Sequence, residues 1–127
     1  MVDTLRGIIR NRQYGTQVQD FSGLRFGNIT PTDLDGLIEY KNRGYVLIET
    51  KYRDSKLPDG QRLALERLCD DLQRIKPTLL IIAWHETDGD IDVAETSVAE
   101  YRFKRKWRVR KGTTKELITA FLGNLDG

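Results

Sequence analysis

Cysteine is nearly absent from this chain: Cys69 is the only one in 127 residues. No internal disulfide framework is possible, and a reducing cytoplasm suits such a chain. A small buried position on a helix is the natural place for it. Histidine is equally scarce. His85 is the lone imidazole and could serve as an acid or base, but its place just past an apolar run better fits a polar residue at a strand end. Long apolar runs are missing too. No segment approaches the roughly eighteen residues of a membrane span, and the N-terminus lacks the apolar region of a signal peptide, so no membrane partner is expected. Internal repeats, low-complexity tracts and linkers are also lacking. The early chain is poor in acid, with Asp3 and Asp20 its only carboxylates before Asp33.

What remains has the size of one domain, residues 1–127, long enough for a modest core. Charged residues make up 31% and the formal net charge is +2. That mild cationic excess permits nucleic-acid binding without requiring it, so the distribution of charge matters more than its sum.

The most informative stretch runs from Asp33 to Tyr52. Two alternating apolar runs, Asp33 to Tyr40 and Tyr45 to Tyr52, flank the polar turn Lys41-Asn42-Arg43-Gly44, which is a hairpin signal. Period-two alternation puts Tyr45, Leu47, Glu49 and Lys51 on one face, and Val46, Ile48 and Thr50 on the other. In the first run Asp33, Asp35 and Leu37 share a face. A Glu and a Lys ending an apolar strand, beside an acid on the preceding strand, suit a hard divalent cation. Mg²⁺ prefers one or two carboxylates and keeps water in its other positions. A neighbouring ammonium can orient the attacking water or offset charge developing on a phosphate. The plainer reading is a surface hairpin carrying an ion pair.

Asp35 followed by Glu49-Thr50-Lys51 resembles the PD-(D/E)xK nuclease superfamily. The segment from Lys51-Tyr52-Arg53 to Leu57-Pro58-Asp59-Gly60-Gln61 is similar to its small stand-alone replication-repair nucleases and Holliday-junction resolvases, where a Gln opens the helix after the E-x-K strand. The resemblance covers roughly residues 30 to 85. It implies a restriction-endonuclease-like core and a Mg²⁺ or Mn²⁺ ion held by Asp35, Glu49 and the Thr50 carbonyl. It further implies that Lys51 positions water and that Gln61 assists. Asp33 would support or replace Asp35. Superfamily members often add an acid on a first helix, and here only Asp3 or Asp20 could supply it.

Elsewhere the pattern predicts a short helix over Met1 to Tyr14, with Leu5, Ile8 and Ile9 apolar, Arg6, Arg10 and Arg12 polar, and Asp3 as a cap. Gly15 to Thr32 is expected as a loop or irregular strand with Phe21, Leu24 and Phe26 tucked in. Arg25 would join the early arginines near the site. Gln61 to Ile75 should form an amphipathic helix capped by Asp59, with Leu63, Leu65, Leu68, Leu72 and Ile75 inward. Thr78 to Trp84 is apolar throughout, the pattern of a central strand, and the strand–helix–strand order predicts parallel pairing with the E-x-K strand. Asp88, Asp90 and Asp92 alternate, but the rest of a calcium loop is missing. Ile91 to Ala99 is expected as an edge strand. Tyr101 to Lys111 is expected as one strand with an aromatic face and a basic face of Arg102, Lys104, Lys106, Arg108 and Arg110, suited to a phosphate backbone. Thr113 or Thr114 should cap a last helix that Gly123 ends.

The expectation is an α/β domain, a mixed central sheet flanked by helices. It would be a cytoplasmic, metal-dependent deoxyribonuclease acting in DNA repair, recombination or mobile-element processing, and a homodimer would help so small a chain grasp branched DNA. The competing expectations are a non-catalytic nucleic-acid-binding module on the same fold, an RNA-directed or restriction-like nuclease, and an interaction protein in which Glu49 and Lys51 merely pair.

Overall fold

A computed structural model describes residues 18–127; the helix expected over Met1 to Tyr14, with its arginines and Asp3, lies outside them. The chain divides into two compact units, Met1–Pro31 and Thr32–Gly127. In the described part of the first, Phe26 and Ile29 form an isolated bridge and Leu24 N–H donates to the Phe21 carbonyl at 2.9 Å. Phe21, Leu24 and Phe26 are exposed rather than tucked in.

The second unit has the expected α/β architecture. Strands β1 (Gly36–Tyr40) and β2 (Gly44–Tyr52) lead to helix α1 (Asp59–Gln73) and strand β3 (Thr78–His85). A short 3₁₀ turn (Val93–Glu95), strands β4 (Ser97–Phe103) and β5 (Lys106–Arg108) and helix α2 (Thr114–Asp126) follow. The five strands form one mixed sheet in sequence order. Only β2 and β3 pair in parallel, joined through α1; the other neighbours are antiparallel. A parallel pair requires a long crossover, and α1 provides it.

The helices cover opposite faces. Val46, Ile48, Leu79, Ile81, Ala83 and Val98 pack against Leu117 and Phe121 of α2. Leu47, Leu80 and Ile82 pack against Leu57 and against Leu65 and Cys69 of α1. β3 is therefore apolar on both sides because both sides are roofed. Cys69 is buried on α1 as expected, and burial pushes its thiol up to about 12, where it is inert. Among the described residues no helix is long and apolar enough to cross a membrane.

Several local expectations are corrected. β1 begins at Gly36, so Asp33 and Asp35 precede it. The cap of α1 is Pro58, with Asp59 in the first turn; Leu63, Leu68 and Ile75 are exposed, because α1 buries a narrower stripe than its leucines suggest. Ile91 to Ala99 holds the 3₁₀ turn, and β4 lies inside the sheet rather than at its edge. A bulge opposite Ile82 and Ala83 leaves Ala99 extra, so that Val98 meets Ala83 while Glu100 meets Ile82. Thr113 forms a full capping box with Glu116. α2 runs past Gly123 to Asp126 because Leu125 packs on the core and Asp126 accepts from the Tyr40 hydroxyl at 2.7 Å.

The largest correction concerns Tyr101 to Lys111. This is a hairpin, not one strand: Lys104 and Arg105 form a two-residue turn with φ of 51° and 66°, as in a type I′ turn. Arg102 and Trp107 consequently face each other across the ladder, on the α1 side.

Gly44 occupies the tightest junction. A Cβ there would lie 2.8 Å from the Pro77 carbonyl oxygen and 2.7 Å from a methyl of Leu125. Gly44→Ala should lower stability by about 1–3 kcal/mol, measured by urea unfolding, because the Pro77 backbone cannot yield as a side chain can.

Candidate functional site

The site lies where β2 runs past the start of β1. Glu49 follows Leu47 on the α1 face and is only 5% exposed. Its Oε1 accepts from the Asp35 backbone N–H at 3.2 Å, and its Oε2 accepts from Gln61 Nε2 at 2.6 Å. The same Gln61 nitrogen lies 3.4 Å from Asp33 Oδ1. Asp35 Oδ2 accepts from the Thr50 backbone N–H at 2.8 Å and from Thr50 Oγ1 at 2.9 Å. The fold therefore brings Asp33, Asp35, Glu49, Thr50 and Gln61 together from two strand ends and the first turn of α1.

Strand geometry fixes one more ligand direction. A residue in a strand aims its N–H and C=O at the same neighbour. The Thr50 N–H meets Asp35 beyond the start of β1, so its carbonyl points to that same edge, past the last β1 partner. Asp35 Oδ2 sits on the Thr50 side of this edge, and Glu49 reaches the same segment from the α1 face through the Asp35 backbone N–H. Among the described residues no group of three or more His, Cys, Asp or Glu side chains is arranged to hold a metal. Two carboxylates and a carbonyl remain, which is within the range that Mg²⁺ uses when it retains several waters.

Burial, reinforced by the charge of Asp35, pushes the Glu49 carboxyl up to about 7. A buried carboxylate beside another carboxylate prefers to keep its proton. Lys51 lies two residues on along the same face and pairs with Trp84 in the β2–β3 ladder. An open cleft adjoins it, lined by Lys51, Arg53, Asp54, Trp84 and Glu86.

Sequence reasoning missed a second polar cluster on this face. Arg62, next to Gln61, binds Glu100 with both guanidinium nitrogens, at 2.6 and 2.9 Å, and stacks over the Trp107 ring at 4.1 Å. Arg62 holds the Glu100 carboxyl below its ordinary range, and the charge of Lys51 adds to the effect. Arg102 pairs with Asp70 at 2.8 Å and with Glu66 at 3.4 Å, and its side chain is 11% exposed. Trp107 Nε1 donates to Glu66 at 2.7 Å. These contacts seat α1 on β4 and β5 and so place Gln61 beside Glu49. Their only sequence signal is the i, i+4, i+8 spacing of Arg62, Glu66 and Asp70 along one side of α1.

The expected basic row is redistributed. Arg102 leaves it, since its charge is matched within the fold. Lys104 and Arg105 sit at the hairpin tip, beyond the end of β4 that lies beside the start of β3. That is the end of the sheet opposite Glu49. Lys106, Arg108 and Arg110 are exposed, and the chain carrying them returns to the Glu49 end, where Gly112 accepts from the Val98 N–H at 3.1 Å. His85 ends β3, and its Nδ1 accepts from the Thr87 N–H. Asp88 accepts from the Tyr52 hydroxyl.

No protein-family model, curated protein or solved structure matches this chain.

Two predictions follow from the charges. The raised Glu49 carboxyl binds its proton more tightly folded than unfolded, so its stabilising effect is complete below pH 4.5 and is lost as pH rises through about 7. Thermal unfolding between pH 5 and 8 should show this loss, at most about 3 kcal/mol. Glu49→Gln should flatten the profile and raise the melting temperature at pH 8. Arg102→Ala should cost about 2–3 kcal/mol by leaving Asp70 without its partner and Glu66 with only the Trp107 N–H, in a half-buried setting.

Proposed function

We propose that this chain is a metal-dependent deoxyribonuclease of the PD-(D/E)xK type, hydrolysing phosphodiester bonds with Mg²⁺ or Mn²⁺. The observation that supports it is the crowding of Asp35 and Glu49 at the end of a buried strand. A carboxyl that burial and the charge of Asp35 push up to about 7, beside a second carboxylate, is a donor set that a divalent cation relieves. Asp35, Glu49 and the Thr50 carbonyl would hold the ion, with Asp33 in support. When bound, such an ion supplies Lewis-acid stabilisation of the charge that builds on the phosphate.

The chain's own residues do the rest. Gln61 hydrogen-bonds Glu49 and fixes its orientation. Lys51, on the same face and at the open end, orients the attacking water and offsets negative charge on the phosphate. The partly buried wall of β2 and α1 keeps these groups in one arrangement before substrate arrives, which is where catalysis by positioning gains most. Lys106 and Arg108 pair with Phe103 and Tyr101 on the α2 face, opposite Glu49, so with Arg110 they would contact the DNA backbone only where it wraps past the β5 edge, giving an affinity that falls with salt. A second copy of the chain would widen that surface, and the cytoplasm is the expected compartment.

The reading is tested by cleavage of linear, flapped and four-way-junction DNA in Mg²⁺. The wild-type chain should cut at least one of them, and EDTA should abolish the cutting. Glu49→Ala and Lys51→Ala should each lower kcat by about a hundredfold or more while DNA binding persists. Equal cleavage by wild type and Glu49→Ala would assign any activity to a contaminant. Binding without cleavage by the wild type would leave a DNA-binding module in place of an enzyme.

A further inference from the structure

The cleft beside Lys51 lies over the C-terminal ends of the parallel strands β2 and β3, where ligands of α/β sheets commonly bind. Its lining does not suit a phosphate. Lys51 and Arg53 supply two cations, but Asp54 and Glu86 supply two carboxylates, and the balance is neutral. What distinguishes the cleft is Trp84, a partly exposed indole directly opposite Lys51 in the ladder. Arg53 is held with a φ of 50°, its N–H donates to the His85 carbonyl at 2.7 Å, and its guanidinium lies 5.0 Å from the Tyr52 ring centroid.

An aromatic surface flanked by both hydrogen-bond donors and acceptors matches a nucleobase. The ring stacks on the indole, and the carboxylates accept from exocyclic amino groups. We infer that this cleft binds an unpaired base of the nucleotide next to the phosphate that is cut. The base must be unpaired, because a base within a duplex cannot present its face to Trp84. Lys51 joins the two places: its ammonium serves the phosphate on one side and borders the base on the other. The assignment of that phosphate rests on the hydrolase reading, whereas the base-binding cleft does not.

Fluorescence anisotropy in EDTA, with dye-labelled DNA and no cleavage, tests the cleft by itself. Wild type should bind a duplex with a single-stranded overhang about tenfold more tightly than the same duplex with blunt ends. Trp84→Leu should lose that preference, and Trp84→Phe, which retains a stacking surface, should keep most of it. Stacking should also quench Trp84 emission, read in a Trp107→Phe background; this arm remains available if Trp84→Leu does not fold. Equal affinity for the two DNAs, an unchanged preference in Trp84→Leu, or no quenching on binding would each overturn the proposal. If the Trp84-dependent preference appears but no DNA is cut in Mg²⁺, the cleft stands and the hydrolase reading falls. If cleavage occurs without that preference, the reverse holds.

Discussion

A carboxyl group buried at the end of an apolar strand is the constraint around which this molecule is arranged. Glu49 cannot be left unpaired at 5% exposure, since an isolated buried acid is costly. The fold answers with two donors: the Asp35 backbone N–H and the Gln61 side chain. Each requires something larger. The Asp35 amide is in place only because the chain enters β1 beside β2. Gln61 is in place only because α1 starts close above the sheet. The remaining strain appears as a proton held more tightly than usual.

What fixes α1 is a set of ion pairs rather than apolar packing alone. The helix buries only Leu65 and Cys69 fully, a narrow contact for fifteen residues. Arg62 with Glu100, and Arg102 with Asp70 and Glu66, tie the rest of that face to β4, with Trp107 stacked between them. Removing one partner of such a pair is costly, so together they hold α1 where Gln61 meets Glu49. The cations that look most like a nucleic-acid surface in the sequence are therefore of two kinds. Arg102 serves the interior, whereas Lys106, Arg108 and Arg110 remain outside.

The sheet core was legible because its signals are local. Alternation along Tyr45 to Tyr52 separates Leu47, Glu49 and Lys51 from Val46, Ile48 and Thr50, and the two apolar clusters follow that division. The unbroken apolar run of β3 announces a strand covered on both faces. The hairpin after Phe103 was not legible. Lys-Arg carries none of the Asn-Gly chemistry that marks a type I′ turn, and left-handed backbone at those residues costs energy that only the surrounding ladder can offset. The bulge in β4 was equally hidden: parity along the strand puts Val98 and Glu100 on one face, and the extra Ala99 puts them on opposite faces.

Sequence by itself determined the α/β class, the β2–α1–β3 crossover and the shared face of Glu49 and Lys51, because each follows from residue spacing within one element. Tertiary structure alone decided which charges meet. The pairing of Arg62 with Glu100, the withdrawal of Arg102 from the surface and the place of Trp84 beside Lys51 all depend on register between strands distant in the chain. Register is set by how whole faces pack, and no single segment carries that information.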